Sequence, residues 1–413
     1  MPSHEEAIGK AIEKAIEKAT LLMRRFAERT GLTSDRPTQR YLWTDAFAVC
    51  NFLGLARLTG ERSYADLALR LVDQVHHVLG RYRADDTRAG WISGLGEREG
   101  EAHPTRGGLR IGKALPERGP AEPFDQGLEW DRDGQYFHYL TKWMHALDQV
   151  SAATGDRRFN LWARELGEAA HAAFARAGGG RAGRRMVWKM STDLSRPLVA
   201  SMGHHDPLDG LITCVQLETT AALMSAAAQG PDLQRAVADF ATMTDGTDLR
   251  TDDPLGLGGL LANAYRVGQL MARGAFEDGM LLERLLEAAH DGLAHYSQHG
   301  DRQQPGSRRL AFRELGLAIG LAAVEGLEKD TDDGRRRAFG GDDLRTRVHA
   351  LASYVGLRAA IVSSWLGLEH QGLSAWSEHR DINEVMLATS LAPDGFLVIA
   401  ARSEPPGSRS RGH

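Results

Sequence analysis

The sequence predicts an all-α protein of about twelve helices, in which a ring of inner helices is wrapped by a ring of outer ones. Apolar residues recur with a helical period along most of the chain. Segments rich in Ala, Gly and Leu, such as 46–58, 208–224 and 255–272, alternate with amphipathic segments such as 62–79 and 157–176. Because a helix that is apolar on all sides is buried and an amphipathic helix faces water, this alternation predicts inner and outer helices.

The first predicted helix is amphipathic, with Leu22 and Phe26 on its apolar face and Glu and Lys on the other. The second begins at Asp45, and Gly60 ends it as a C-terminal cap. Asp45 and Asp209 each precede a cysteine by five residues, a weak repeat that supports a ring of similar hairpins. In chain order, the predicted helices cover residues 4–30, 45–58, 62–79, 134–154, 157–176, 208–228, 231–243, 255–273, 276–298, 308–328, 342–368 and 381–392.

The remaining segments include a long connection, a hairpin, a final strand and a tail. Residues 83–129 form a connection too long to be a simple loop, and loops of this length usually carry function or are disordered. Residues 185–202 are predicted to form a β-hairpin at the mouth of the barrel, and 395–401 a final strand. The tail, 403–413, is predicted to be disordered, so that residues 1–402 form a single domain.

Composition excludes several classes of protein. The 413 residues are 42% hydrophobic and 25% charged, with a net charge of −5, and they carry no basic block for nucleic-acid binding. No apolar run is long enough to span a membrane, and the charged N-terminus does not look like a secretory signal. Cys50 and Cys214 alone cannot form a disulfide framework or a four-cysteine zinc site. We therefore expect a cytoplasmic protein with no nucleic-acid or membrane partner and no nucleotide cofactor; its oligomeric state stays open.

Twelve helices in two rings resemble the six-hairpin toroid, or (α/α)6 barrel, of many carbohydrate-active enzymes. Its members include N-acylglucosamine 2-epimerases, unsaturated glucuronyl hydrolases and numerous glycosidases. Two stretches carry the resemblance locally, Trp130 to Tyr136 (WDRDGQY) and Trp376 to Asp381 (WSEHRD). The resemblance spans residues 4–392 and implies a substrate pocket at the mouth where the inner helices begin. Terpene cyclases and lanthionine cyclases are other helical toroids, but the latter would need both cysteines as zinc ligands.

Acidic residues and histidines at the starts of inner helices are the catalytic candidates, although Asp is also a favoured N-terminal helix cap. Glycoside hydrolysis needs one carboxyl group kept protonated and a second one ionised. Histidines act as acids or bases near neutral pH. The run from Gly203 to Asp209 lacks the ordered spacing of known zinc motifs, so no metal is expected. The candidates are Asp131, Asp133, His205, Asp206 and His379.

Substrate-binding candidates are the aromatic and polar residues near the same helix starts. Tryptophan rings stack on the apolar faces of sugars, while packing of these rings over the barrel mouth is the structural alternative. His138 belongs to an aromatic helix start, and Arg313 either orients a substrate hydroxyl or forms a structural salt bridge. The candidates are Trp43, Trp91, Trp130, His138, Trp188, Asp209, Arg313, Trp376, Arg380 and Asp381.

From the resemblance and these candidate residues we expect a glycoside hydrolase-like enzyme that acts on an oligosaccharide or a modified sugar. The alternatives are a cofactor-free sugar epimerase or isomerase with paired histidines, and a non-catalytic toroid that binds a glycan or a protein. Residues 130–138, 203–209 and 376–381 are expected to converge at the mouth. An Asp133→Asn change is expected to abolish turnover and to cost no more than about 1–2 kcal/mol of stability.

Overall fold

A computed structural model describes most of the chain, and helices dominate it. The described residues are 4–178, 183–227, 229–276, 279–299, 309–332, 342–367 and 372–400. The predicted disordered tail, 403–413, lies outside them. Within them the helices are α1 (His4–Arg29), α2 (Leu42–Thr59), α3 (Arg62–Leu79), α4 (Glu97–Ala102), α5 (Gln126–Asp131), α6 (Phe137–Thr154), α7 (Arg157–Phe174), α8 (Asp206–Leu223), α9 (Gln234–Asp245), α10 (Pro254–Met271), α11 (Gly279–His299), α12 (Ala311–Asp332), α13 (Asp342–Ala352), α14 (Gly356–Leu366), α15 (Ser374–Glu378), α16 (Arg380–Leu391) and α17 (Asp394–Leu397).

Six of these described helices form a closed inner ring. Helix α2 packs against α6, α6 against α8, α8 against α10, α10 against α12 and α12 against α16. Helix α16 then returns to α2 and closes the ring. The predicted all-α, (α/α)6 toroid is therefore confirmed.

The outer helices each cover an inner one. Helices α3, α7, α9 and α11 pack on α2, α6, α8 and α10, respectively. Helices α13 and α14 pack on α12, and α1 packs on α16, so that the two ends of the chain share one hairpin. The single helix predicted over 342–368 is wrong, because a turn at 353–355 separates α13 from α14 and Ser353 Oγ donates to the Ala350 carbonyl there.

Glycines explain why α10 and α12 lie so close together. A Cβ atom on Gly258 would lie 2.1 Å from the Gly316 carbonyl oxygen, and one on Gly320 would lie 2.6 Å from the Gly258 Cα atom. Any larger side chain would therefore push the two inner helices apart. The glycine-rich start of α10 is thus a close contact between two helix backbones.

The strands are short and lie at the mouth and beside α7. They are β1 (Gln135–Tyr136), β2 (Ala175–Ala177), β3 (Arg184–Met186), β4 (Lys189–Met190) and β5 (Pro197–Val199). Strands β4 and β5 form the predicted hairpin, and β1 pairs antiparallel with β4 on the other side, Gln135 opposite Met190. This small sheet joins the start of α6 to the hairpin. Trp188 comes directly before β4, and its ring centre lies 5.4 Å from that of Tyr136 in β1.

Residues 394–400, which we call the C-terminal plug, do not form the predicted final strand. They begin as α17 and continue as extended chain. Gln149 Nε2 of α6 donates to the carbonyl oxygens of Gly395 (3.0 Å) and Val398 (2.8 Å). Gln269 of α10 donates to the Leu397 carbonyl at 3.0 Å and accepts from Ile399 N–H at 2.9 Å. The prediction of a strand is wrong because the backbone groups of this segment form these hydrogen bonds with side chains of inner helices and not with a neighbouring strand.

No helix of the described segments is long and apolar enough to cross a membrane. Cys50 and Cys214 are buried inside α2 and α8 with free thiols.

Candidate functional site

Two adjoining cavities open at the N-terminal ends of the inner helices. The first, which we call the inner pocket, has a volume of about 470 Å³. The second, which we call the outer cleft, has a volume of about 1200 Å³. Five residues line both and mark the passage between them: Trp43, His138, Trp188, Leu255 and Arg313. A ligand longer than the inner pocket would therefore pass between two tryptophans into the outer cleft.

Most of the residues that the sequence singled out line one of these two spaces. The inner pocket contains His205, Asp206 and Asp209 in addition to Trp43, His138, Trp188 and Arg313. The outer cleft contains Trp130, His379, Arg380 and Asp381. The segments around 130–138, 203–209 and 376–381 are thus brought to one mouth, but His205 and His379 line different spaces.

Asp131 and Asp133 line neither space. Asp131 is exposed at the end of α5. Asp133 is fully buried, and its Oδ2 lies 2.5 Å from Arg110 Nη1, while its Oδ1 accepts from Gly112 N–H at 3.0 Å. This carboxylate fastens the long 83–129 connection to the start of β1, which is a structural role.

Trp91 and Trp376 also lie away from both spaces. Trp91 is buried beneath the Arg81 guanidinium, whose carbon lies 4.3 Å from the ring. Trp376 is buried and stacked on Trp365 at 5.9 Å between ring centres. Both rings pack the protein, which is the alternative that sequence reasoning gave for loop tryptophans.

Asp206 is a buried carboxyl group at the first residue of α8. Burial raises its pKa to about 7, and the nearby charge of Asp209 acts in the same direction. Its Oδ2 is buried and has no hydrogen-bond partner in the described part of the chain, and His138 Nδ1 lies 3.9 Å from its Oδ1. Asp206 therefore holds its proton up to about neutral pH.

Asp209 has the opposite character although it lies only three residues further along α8. Residues three apart share one side of a helix, so the two carboxyl groups are neighbours. Lys142 Nζ lies 2.7 Å from Asp209 Oδ2, and Asn263 Nδ2 donates to Oδ1 at 2.7 Å. Burial opposes ionisation, but Lys142 and Asn263 hold the pKa of Asp209 below its ordinary value. One helix turn thus presents a protonated and an ionised carboxyl group together.

Two histidines of the inner pocket are neutral. Burial lowers the pKa of His138 to about 4, and the Lys142 charge contributes. Burial also lowers the pKa of His205, whose Nε2 lies 2.9 Å from the Leu249 carbonyl oxygen. Because a carbonyl only accepts, that nitrogen carries the proton and Nδ1 is left as a free base. His379 is exposed in the outer cleft, with its ring edge-on to Phe312.

Arg266 is a pocket residue that sequence reasoning missed. It lines the inner pocket, its side chain is buried, and its guanidinium carbon lies 4.9 Å from the Phe396 ring centre. Phe396, from the C-terminal plug, stacks in turn on Phe47 of α2 at 4.1 Å. The available signal was that Arg266 is the one charged residue of the otherwise apolar segment Pro254–Met271.

Lys142 and Asn263 were also missed. Each lies inside an inner helix, whereas the candidates were sought at the helix starts. Among the described residues, no group of three or more His, Cys, Asp or Glu side chains is arranged to hold a metal ion.

Comparison with known proteins gives fold likeness alone. No family model matches the chain, and no curated protein matches it. The cellobiose 2-epimerase of Spirochaeta thermophila is 11% identical, with 77% of this chain and 74% of that chain covered and a TM-score of 0.43. A GH76 α-mannanase of Bacteroides thetaiotaomicron is 9% identical, with 86% and 97% covered and a TM-score of 0.44. An unsaturated glucuronyl hydrolase specific for heparin is 12% identical, with 70% and 84% covered and a TM-score of 0.32. Identities and scores as low as these say nothing about the activity of this chain.

Proposed function

We propose that this chain is a carbohydrate-active enzyme that hydrolyses a glycosidic bond at the inner pocket. The observation that carries the proposal is the pair on α8, in which Asp206 keeps its proton to about pH 7 while Asp209 is ionised. Glycoside hydrolysis needs two carboxyl groups in these two states. Trp43 and Trp188, where the pocket meets the cleft, supply the aromatic surfaces on which sugar rings stack.

In this proposal each carboxyl group has a separate task. Asp206 donates its proton to the glycosidic oxygen as the bond from that oxygen to the anomeric carbon breaks. Asp209 either takes a proton from the water that attacks the anomeric carbon or attacks that carbon itself before water releases the sugar. The overall change is the addition of one water molecule across the bond.

The partners of Asp209 are compatible with either task. Lys142 and Asn263 each occupy one direction on one carboxylate oxygen. An ionised carboxyl group offers about four such directions, so two remain for water or substrate. We assign Lys142 and Asn263 as positioning residues that keep Asp209 ionised and oriented.

Sugar epimerisation is the second candidate, and the two neutral histidines of the inner pocket favour it. His138 and His205 line the same space, and each has a pKa below its ordinary value. A neutral imidazole can take the proton next to a sugar carbonyl group, and the second imidazole, after taking up a proton from water, returns that proton to the opposite face; the first then releases its proton to water. The pair proposed here is His138 and His205, since His379 lines the outer cleft.

One isotope experiment separates these functions. The protein is incubated with a panel of oligosaccharides, once in H2¹⁸O and once in D2O, and the products are analysed by mass spectrometry. Hydrolysis gives shorter products with one ¹⁸O atom, whereas epimerisation gives a product of unchanged length that carries one deuterium atom. Binding without either product would leave the non-catalytic toroid as the function.

Substitutions then test the assignment of residues. Asp206→Asn and Asp209→Asn are expected to abolish hydrolysis, whereas the same exchange at the exposed Asp131 should leave the rate unchanged. Full hydrolytic activity of Asp206→Asn would overturn the proposed mechanism. Loss of activity in the Asp131 variant would show that the pair on α8 does not act alone.

A further inference from the structure

We propose that the inner pocket takes a sugar residue that bears a carboxylate group, and that Arg266 binds this group. The inference rests on the proposed function, of which it names the substrate class. Its basis is a buried cation at the pocket wall that has no hydrogen-bond partner in the described part of the chain, while the Asp209 carboxylate acts on it only through space.

The guanidinium group of Arg266 makes no hydrogen bond with any residue in the described part of the chain. Its Nε and Nη2 atoms are buried, and neither meets an acceptor. The whole residue is 2% exposed and lines the inner pocket. Arginine carries five N–H donors and stays charged in proteins, and a buried charge without hydrogen-bond partners is strongly unfavourable. Such a group in a native structure therefore indicates an absent acceptor.

The other cations of the inner pocket already have partners. Lys142 lies 2.7 Å from Asp209, and Arg313 Nε lies 3.3 Å from Asp253 Oδ1. Arg266 is the remaining cation of the pocket-lining residues. A ligand anion at this place would therefore complete the charge balance of the pocket.

The geometry of the arginine side chain explains why we propose a carboxylate as the anion that Arg266 binds. The planar guanidinium presents parallel N–H groups that match the two oxygens of a carboxylate. The guanidinium carbon of Arg266 lies over the Phe396 ring, 4.9 Å from the ring centre, and this cation–π contact helps to hold the group at the pocket wall. The aromatic rings at the entrance, Trp43 and Trp188, suit the sugar ring that carries the carboxylate.

Equilibrium binding tests this inference without turnover. Quenching of tryptophan fluorescence is followed on the full chain with glucuronate, glucose, glucose 6-phosphate and inorganic sulfate, in wild type and in Asp206→Asn. Glucuronate is expected to bind at least about tenfold more tightly than glucose, the effect of one charge-assisted hydrogen bond or more. Asp206→Asn should keep this preference, so that a wrong hydrolytic mechanism and a wrong substrate class give different results.

Three arginine variants locate the effect. Arg266→Met should lose the preference for glucuronate and bind glucose as the wild type does. Arg250→Met, at an exposed arginine paired with Asp248 outside both spaces, should change neither. Arg266→Lys, which keeps the charge but loses the planar fork, should retain only part of the preference and serves if the Met variant does not fold.

Four results would overturn the inference. The first three are equal binding of glucose and glucuronate by the wild type, a preference for glucuronate that survives in Arg266→Met, and binding of sulfate as tight as that of glucuronate. The third result would identify a site for free anions. Tighter binding of glucose 6-phosphate than of glucuronate would assign the site to phosphorylated sugars and would also contradict the carboxylate.

Discussion

Replacement of Asp206 by Asn tests the unusual carboxyl group on which the proposed chemistry depends. The amide has nearly the same shape as a protonated carboxyl group, but it neither ionises nor donates a proton to a leaving group. We therefore expect Asp206→Asn to be inactive and, at alkaline pH, more stable than the wild type. A gain in stability together with a loss of activity is a known feature of catalytic sites.

The magnitude follows from the pKa of this group. Burial raises the pKa of Asp206 from 3.8 to about 7, a change equivalent to about 4 kcal/mol at 25 °C. Between about pH 4 and pH 7 the folded protein holds this proton while the unfolded chain has lost it, so the free energy of unfolding falls as the pH rises. Above about pH 7 the folded protein has also lost the proton, and the free energy of unfolding no longer falls. Asp206→Asn has no such titration. Its free energy of unfolding should therefore equal that of the wild type below pH 4 and exceed it by at most about 4 kcal/mol at pH 8.

The assay is urea unfolding of the wild type and the variant at pH 4 and at pH 8. The exposed Asp131→Asn variant is the control, and its stability should follow that of the wild type at both pH values. An identical pH dependence for the wild type and Asp206→Asn would show that Asp206 is not protonated in the folded protein. In that case the proton donor of the proposed hydrolysis would be lost, and turnover of the wild type would not decline above about pH 7 as the proposal requires.

Three further predictions concern packing and can be checked on the same material. Asp133→Asn should lower the free energy of unfolding by about 3–5 kcal/mol, more than the roughly 1–2 kcal/mol expected from the sequence for a lost cap, because it leaves Arg110 buried without its counter-ion. A loss below about 1 kcal/mol in urea would contradict the structural role of this pair. Burial raises the pKa of Cys50 and of Cys214 to about 12, so a thiol reagent should label them only after unfolding; rapid labelling of the native protein would refute this. Phe396→Ala should cost about 3–5 kcal/mol in thermal unfolding, as large-to-small changes in cores do, and an unchanged melting temperature would show that the C-terminal plug does not stabilise the ring.

The ring itself was predictable because the composition of each helix indicates whether it belongs to the inner or to the outer ring. Helix α10 has a single charged residue, and α3 has one apolar stripe, so burial in the inner ring or exposure in the outer ring follows from a short window of sequence. The C-terminal plug was not predictable in this way. Its backbone partners are Gln149 and Gln269, more than 120 residues away in the chain, and no local pattern reveals them.

The site was predictable to the extent that it lies at helix starts. His138, Asp206 and Asp209 come at the beginning of apolar helices, and these beginnings meet at the mouth. The same rule also selected Asp133, whose carboxylate turns to Arg110 in the preceding connection. A sequence window does not tell which way a carboxylate at such a junction points. Arg266 escaped notice because the middle of an apolar helix predicts packing.

A last prediction concerns which bond of an oligosaccharide is cut. The C-terminal plug contacts α2 and α10 and is hydrogen-bonded to Gln149 of α6. Its Phe396 lines the inner pocket, and the outer cleft adjoins this pocket on the side of Trp43 and Trp188. A chain that enters past these tryptophans meets Phe396, so we expect it to insert one end and to extend the other into the outer cleft. An enzyme of this shape releases a product of one small size from the first minutes of reaction, which chromatography of an early time course would show. A ladder of intermediate oligomers at early times would mean cleavage inside the chain, and then the substrate would have to lie across the outer cleft and not in the inner pocket.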